Sequence, residues 1–187
     1  GGYHAGKIAG SERADFIGVF DPDAARCAAL AEKNRVAAFA SQSELLGPCE
    51  AVLVACPALY HEAVVRAAVE AGRHGMVEKP WALTGHAADK LARLADDKGL
   101  VLQVGHQERF VMEAMGLFDI PEMPNRIEAY RMAPPAPDGR AGDVSVIWEL
   151  MAHDLDMVGK LRGEPVCVEA AGRRGESDCS DEARSER

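Results

Sequence analysis

Glu78-Lys79-Pro80 closes a short apolar run, Met76-Val77, with an acid, a base and a proline in succession. Proline disfavours helical backbone at the residue before it, so Lys79 is expected in an extended conformation at the mouth of a strand. An ammonium presented there beside a carboxylate suits the stabilisation of negative charge developing on a substrate oxygen. A second constellation lies further along the chain. Glu149 and His153 stand at i, i+4 in a helical pattern, and Asp156 follows near the same face. A histidine oriented by a carboxylate is a candidate general base near neutral pH. A salt-bridged, solvated helix face explains the same pair, and both readings stay open. The spacing is not H-E-x-x-H, which removes the zinc-peptidase reading, and no other metal site is expected.

Two further strand ends carry polar groups. Asp21 follows Gly1 by 20 residues and ends the apolar stretch 15–20. A dinucleotide-binding unit places there the carboxylate that accepts hydrogen bonds from ribose hydroxyls. An acid at that point also repels a 2′-phosphate, which favours NAD over NADP. Capping of the next helix is the alternative role for Asp21. Cys56-Pro57 ends the run 51–55, and His61 lies on the helix that follows. Ligands of open α/β sheets bind at such carboxyl ends, where Pro57 would shape the backbone against a cofactor. Cys56 has no partner at a spacing that would make it a nucleophile, and a lone histidine such as His61 is more often structural.

The elements that must position these residues alternate. Strands are expected at 15–20, 36–40, 51–55, 75–77 and 100–104, and helices at 24–35, 41–46, 60–71 and 84–98. Strand and helix recurring about every 25 residues indicate parallel β-α-β units. Residues 1–117 are therefore expected to form an α/β, Rossmann-type doubly wound parallel sheet. After residue 117 the pattern changes. Residues 126–132 alternate polar and apolar side chains, as a strand with one solvated face does. A Pro- and Gly-rich loop leads to a helix at 144–161, whose apolar stripe is Ile147, Met151, Leu155 and Val158. A strand at 166–170 follows. Residues 118–171 thus read as the start of an α+β open-sheet domain. Nine of the last sixteen residues, 172–187, are charged, which predicts a disordered tail.

Composition narrows the classes. A formal net charge of -9 argues against nucleic-acid or anionic-membrane partners. No run approaches the ~18 apolar residues of a membrane span. Five scattered cysteines without a C-x-x-C pair fit free thiols in a reducing, cytoplasmic setting.

The motifs occur in one order: Gly1-x-x-His4-Ala5, Asp21, Cys56-Pro57 with His61, Glu78-Lys79-Pro80, Val104-Gly105-His106-Gln107-Glu108-Arg109-Phe110 and Glu149-x-x-x-His153-Asp154. In this the chain resembles the glucose-fructose oxidoreductase/inositol 2-dehydrogenase (Gfo/Idh/MocA) family from Gly1 to about residue 171. The resemblance implies hydride transfer between a nicotinamide cofactor and a sugar or polyol carbon. It implies that Lys79 contacts the reacting oxygen, that His153 is the acid/base, and that Glu149 stands where the family has an aspartate orienting that histidine. Gly1, Asp21, Cys56, Pro57, His61, Glu78, Lys79 and Gln107 would line the cofactor site, Glu78 by placing Lys79 and the nicotinamide. The cofactor would be NAD, with NADP possible where basic neighbours compensate for Asp21. A homo-oligomer is implied for the full-length parent.

Against the family pattern the chain opens at what would be the last glycine of G-x-G-x-x-G. The expectation is therefore a Rossmann sheet lacking its first strand, with an open slot that promotes association, and a second domain cut short. Two alternatives stand beside the dehydrogenase: a non-catalytic NAD-binding or regulatory protein on the same scaffold, and a glycosidase that oxidises its sugar transiently.

Overall fold

The computed structural model describes residues 1–132, 147–163, 167 and 169, apart from the side chains of residues 148 and 149. Helix α1 (Gly2–Ala9) leads to strand β1 (Gly18–Val19), α2 (Ala24–Asn34), β2 (Ala37–Ala38), α3 (Gln42–Leu46) and β3 (Ala51–Val54). A single 3-10 turn (Ala58–Tyr60) enters α4 (His61–Glu70), followed by β4 (His74–Val77), α5 (Gly85–Asp97), β5 (Leu102–Val104) and α6 (Glu108–Ala114). The segment 115–132 contains no strand or helix. A π-helical turn (Ile147–Met151) then runs into α7 (Ala152–Arg162).

Local chemistry sets these boundaries. Asp23 caps α2 by accepting from the backbone N–H groups of Ala25 and Arg26, both at 3.0 Å. Ser41 Oγ accepts from Glu44 N–H while Glu44 Oε2 accepts from Ala40 N–H, each at 3.2 Å, a close variant of the capping box. Thr84 caps α5 through Ala87 N–H. Past the ends of α4 and α5, Gly72 and Gly99 adopt the left-handed backbone (φ 75° and 64°) that an L side chain resists.

All strand pairs are parallel, in two separate sheets ordered β1-β2 and β3-β4-β5. Among the described residues no strand bridges the two. The parallel α/β reading holds, but the strands are shorter than their apolar runs. Within β1 the backbone approaches its partner closely: a Cβ on Gly18 would lie 2.5 Å from both the Ala37 carbonyl oxygen and the Phe39 ring. Strand β3 is also less covered than a continuous apolar run predicts. Only Val54 is fully buried, because β3 is an edge of its sheet.

The main core joins Val54, Val65, Val69, Val77, Leu91 and Ala95, sealing α4 and α5 onto β3 and β4. A smaller cluster, Val19, Cys27 and Ala31, packs α2 on β1.

The later expectations fare less evenly. Residues 126–132 form no strand; among the described residues none offers the neighbouring edge that alternation alone cannot supply. The helix expected at 144–161 is described from Ile147 on. Its proposed apolar stripe faces outward instead, with Ile147 44%, Met151 49% and Leu155 55% exposed. The buried face carries His153, with Asp154 and Asp156 largely covered, because two arginines meet those carboxylates from other segments. The Pro- and Gly-rich loop, most of the strand expected at 166–170, and the tail 172–187 lie outside the described residues.

Candidate active site

The carboxyl ends of β3, β4 and β5 lie side by side in one parallel sheet, so the residues just past them share one edge. These are Cys56-Pro57, Glu78-Lys79-Pro80 and Gly105-His106-Gln107. Helix α1 packs on α2 and reaches the same edge, where His4 Nε2 pairs with Glu78 Oε1. Glu78 also accepts from the Lys79 backbone N–H through Oε2 at 3.3 Å. Gly105 must be small here, since a Cβ would come within 3.2 Å of that same oxygen. Glu78 thus connects the first helix with the strand that presents Lys79, and the Lys79-Pro80 peptide bond is cis.

His61 occupies a structural position. It is 1% exposed, with Nδ1 2.6 Å from the Pro80 carbonyl oxygen and Nε2 2.8 Å from that of Cys56. Both nitrogens are turned to the protein's own backbone, so in place of direct cofactor contact His61 locks the β3 and β4 ends together. Burial pushes the Cys56 thiol up from its ordinary value, which keeps it protonated and suits a packing role. Pro57 is exposed beside it, and Gln107 is exposed at the start of α6. Gly1 is the N-cap residue of α1. Asp21 is partly exposed at the end of β1, with its Oδ1 accepting from Asp23 N–H at 2.9 Å and lying 3.5 Å from Arg26 Nη2.

The second half of the site is assembled by α6, α7 and the segment before residue 132. Arg131 donates Nη1 and Nη2 to the two oxygens of Glu108 at 2.9 and 2.7 Å. It also reaches Asp154 at 3.0–3.2 Å. Arg109 makes a two-pronged contact with Asp156, its Nε donating at 2.6 Å. These clamps turn the polar face of α7 inward and bury His153 to 8% exposure, with Nδ1 3.8 Å from Glu108 Oε1. Glu108 is held below the usual carboxylate range, chiefly by Arg131, with His153 and Lys79 adding to the effect. His153 thus stands beside Glu108, and the charge of Lys79, from a distant part of the chain, also acts on that carboxyl. His106 joins them, 3.8 Å from Asp156; burial holds its imidazole below the ordinary range despite that neighbour.

Glu149 lies in the π-helical turn, and its side chain is outside the described residues. Hydrogen bonding in a π turn runs i to i+5, so Glu149 and His153 do not hold the simple α-helical i, i+4 relation expected from sequence. Sequence reasoning gave no role to His4, Glu108 or Arg131. His4 and Glu108 sit inside the quoted motifs, where their types were visible but not their partners. Arg131 was read as one residue of an alternating strand.

Comparison with known proteins places the fold in a family. Residues 1–106 match the family described as an oxidoreductase family with an NAD-binding Rossmann fold. The chain belongs to the Gfo/Idh/MocA family. Across 185 residues, 98% of this chain and 58% of the relative, it is 39% identical to UDP-N-acetylglucosamine 3-dehydrogenase of Acidithiobacillus ferrooxidans. The solved structure of that enzyme superposes with a TM-score of 0.85 at 38% identity, covering 94% of this chain and 57% of the other. Myo-inositol dehydrogenase Hyg17 of Streptomyces leeuwenhoekii is 31% identical over 78% of this chain and 48% of its own length. GenD2 from gentamicin A biosynthesis, solved in complex with NAD, gives a TM-score of 0.74 at 28% identity, covering 88% of this chain and 51% of the other. The chain thus spans about half the length of these relatives. No helix among the described residues is long and apolar enough to cross a membrane.

Proposed function

We propose that this Gfo/Idh/MocA chain carries the cofactor-binding and catalytic portion of an NAD-dependent oxidoreductase acting on a hydroxyl carbon of a sugar or polyol. The observation that carries the reading is His153, 3.8 Å from Glu108, brought to the carboxyl edge of the sheet where β4 presents Lys79. The residues present fit a dinucleotide. Asp21 offers a partly exposed carboxylate for ribose hydroxyls at the end of β1. Pro57, Glu78 and Gln107 stand along the strand ends toward Lys79. Bound nicotinamide supplies the hydride acceptor.

The protein's own part is proton and charge management. His153 takes the hydroxyl proton as the carbon gives up its hydride, and the ammonium of Lys79 stabilises the oxygen while it carries alkoxide charge. The carbinol becomes a carbonyl, having lost one hydride and one proton. Glu78, tied to His4, holds the Lys79 backbone. Glu149 is a further candidate for orienting His153. The relatives named for UDP-N-acetylglucosamine and inositol oxidation support ring hydroxyls as the substrate class, with a nucleotide-linked amino sugar as the first candidate. The test is calorimetric titration with NAD, followed by spectroscopic detection of NADH on addition of UDP-N-acetylglucosamine, myo-inositol or related sugars. NADH formation with any of them supports the reading; tight NAD binding without turnover would select a non-catalytic binding protein.

Asp21 gives a separate prediction. Replacing Asp21 with serine removes a charge that opposes the 2′-phosphate and frees Arg26, 3.5 Å away, to meet that phosphate. A change of about 1–2 kcal/mol is expected at such a solvated site, roughly a ten-fold rise in affinity for NADP relative to NAD. Titration of both nucleotides checks it, and an unchanged ratio removes Asp21 from the cofactor site.

A further inference from the structure

His153 Nδ1 is buried and, among the described residues, makes no hydrogen bond. The acceptor facing it is Glu108 Oε1 at 3.8 Å, a carboxylate oxygen that takes one hydrogen bond from Arg131 and has a second lone pair left. A buried, unmatched ring nitrogen is costly unless it is paired in the working state. Catalytic hydrogen bonds are often long before substrate binds and shorten when the site closes. We propose that Glu108, clamped by Arg131, is the positioning carboxylate that holds the proton on His153 Nδ1 and so leaves Nε2 free to accept the substrate's hydroxyl proton. This rests on the reading of His153 as the acid/base.

Glu108 begins α6 immediately after the loop that carries His106 and Gln107, so it is fixed to the same edge as the cofactor-facing groups. Arg131 holds both Glu108 oxygens and Asp154, the residue next to His153, which ties acceptor and imidazole to one guanidinium. Among the described residues, His106 from a strand end also feels the charge of His153, and Asp156 lies three residues on along the same helix. Asp156 is taken up by Arg109. Glu108 stays ionised because Arg131 holds it below the usual carboxylate range. It is therefore a permanent acceptor rather than a competing acid.

The test reads the ring directly and needs neither cofactor nor substrate. Nitrogen-15 long-range correlation spectra of the full chain at about pH 8.5, well above the ordinary imidazole value of about 6.5, report which His153 nitrogen carries the proton. The signals are assigned by their loss in His153→Asn. The expected result is protonation at Nδ1 in the wild-type chain, a shift toward the Nε2-protonated form in Glu108→Ala, and no shift in Glu149→Ala. A proton on Nε2 in the wild-type chain overturns the proposal, whatever the variants do. A shift in Glu149→Ala with none in Glu108→Ala also overturns it and assigns the role to Glu149. If a substrate is turned over, Glu108→Ala should lower kcat about 10²-fold or more with KM little changed, since the histidine then presents the wrong nitrogen. Turnover with an unaltered tautomer in Glu108→Ala would leave the oxidoreductase reading standing while removing this one. The Nδ1 result without any turnover would do the reverse.

Discussion

Hydride transfer by Lys79→Ala is expected to fall about 10²–10³-fold in kcat, the range seen when one preorganised donor to a developing oxyanion is removed. The size of the effect follows from where the lysine stands. It is half-buried at a strand end, and its backbone is held by Glu78, which in turn pairs with His4. Its charge helps hold Glu108 below the usual carboxylate range. A charge placed in this way needs no reorganisation when the substrate oxygen becomes negative. Lys79→Arg retains the charge but spreads it over a planar group, so it should recover only part of the lost rate. Cofactor affinity measured by titration should change much less than kcat in both variants. A Lys79→Ala chain with near-normal turnover would remove the lysine from the reaction.

The largest effect on stability is expected for Leu91→Ala. Leu91 is 0% exposed and packs among Val54, Val65, Val69, Val77 and Ala95, where α5 closes over β3 and β4. Truncating a leucine in such a place removes transfer energy and leaves a cavity, at a combined cost of about 2–5 kcal/mol. Domains of ordinary stability have about 5–15 kcal/mol in total, so the urea midpoint should drop by a large fraction of its value. The consequence reaches the site, because Val77, also 0% exposed, directly precedes Glu78 and Lys79. An unchanged midpoint would mean that this cluster is not the centre of the fold.

How much of this was legible depends on whether the signal is local. The apolar runs at 51–55 and 76–77, the caps at Asp23, Ser41 and Thr84, and the stopping glycines 72 and 99 act within a few residues. The strands and helices they delimit fall close to where periodicity places them. Arg126 to Met132 shows the limit: alternation describes a side-chain pattern, while a strand also requires a neighbouring backbone. Helix α7 shows a second limit. Its apolar residues suggested the inward face, yet Arg109 and Arg131, far away in sequence, draw Asp154 and Asp156 inward instead. The site divides along the same line. Lys79 and His153 stood out by residue type and motif order, whereas Glu108, Arg131 and His4 gain their meaning from contacts spanning 23 to 74 residues. A structural role was the commoner expectation for His61, yet the carbonyls of Cys56 and Pro80 that enclose it are invisible in a pattern of side chains.

The division of the strands into two hydrogen-bonded sheets has a consequence for how firmly each end of the cofactor would be gripped. Lys79 is attached to the larger core, and local opening there must disrupt α4, α5, β3 and β4 together. Asp21 follows a two-residue strand backed by Val19, Cys27 and Ala31, a much smaller cooperative unit. Segments with few buried contacts open more readily than the rest of a fold. Warming would therefore loosen the grip on the adenosine end before it disturbs the geometry at the reacting carbon.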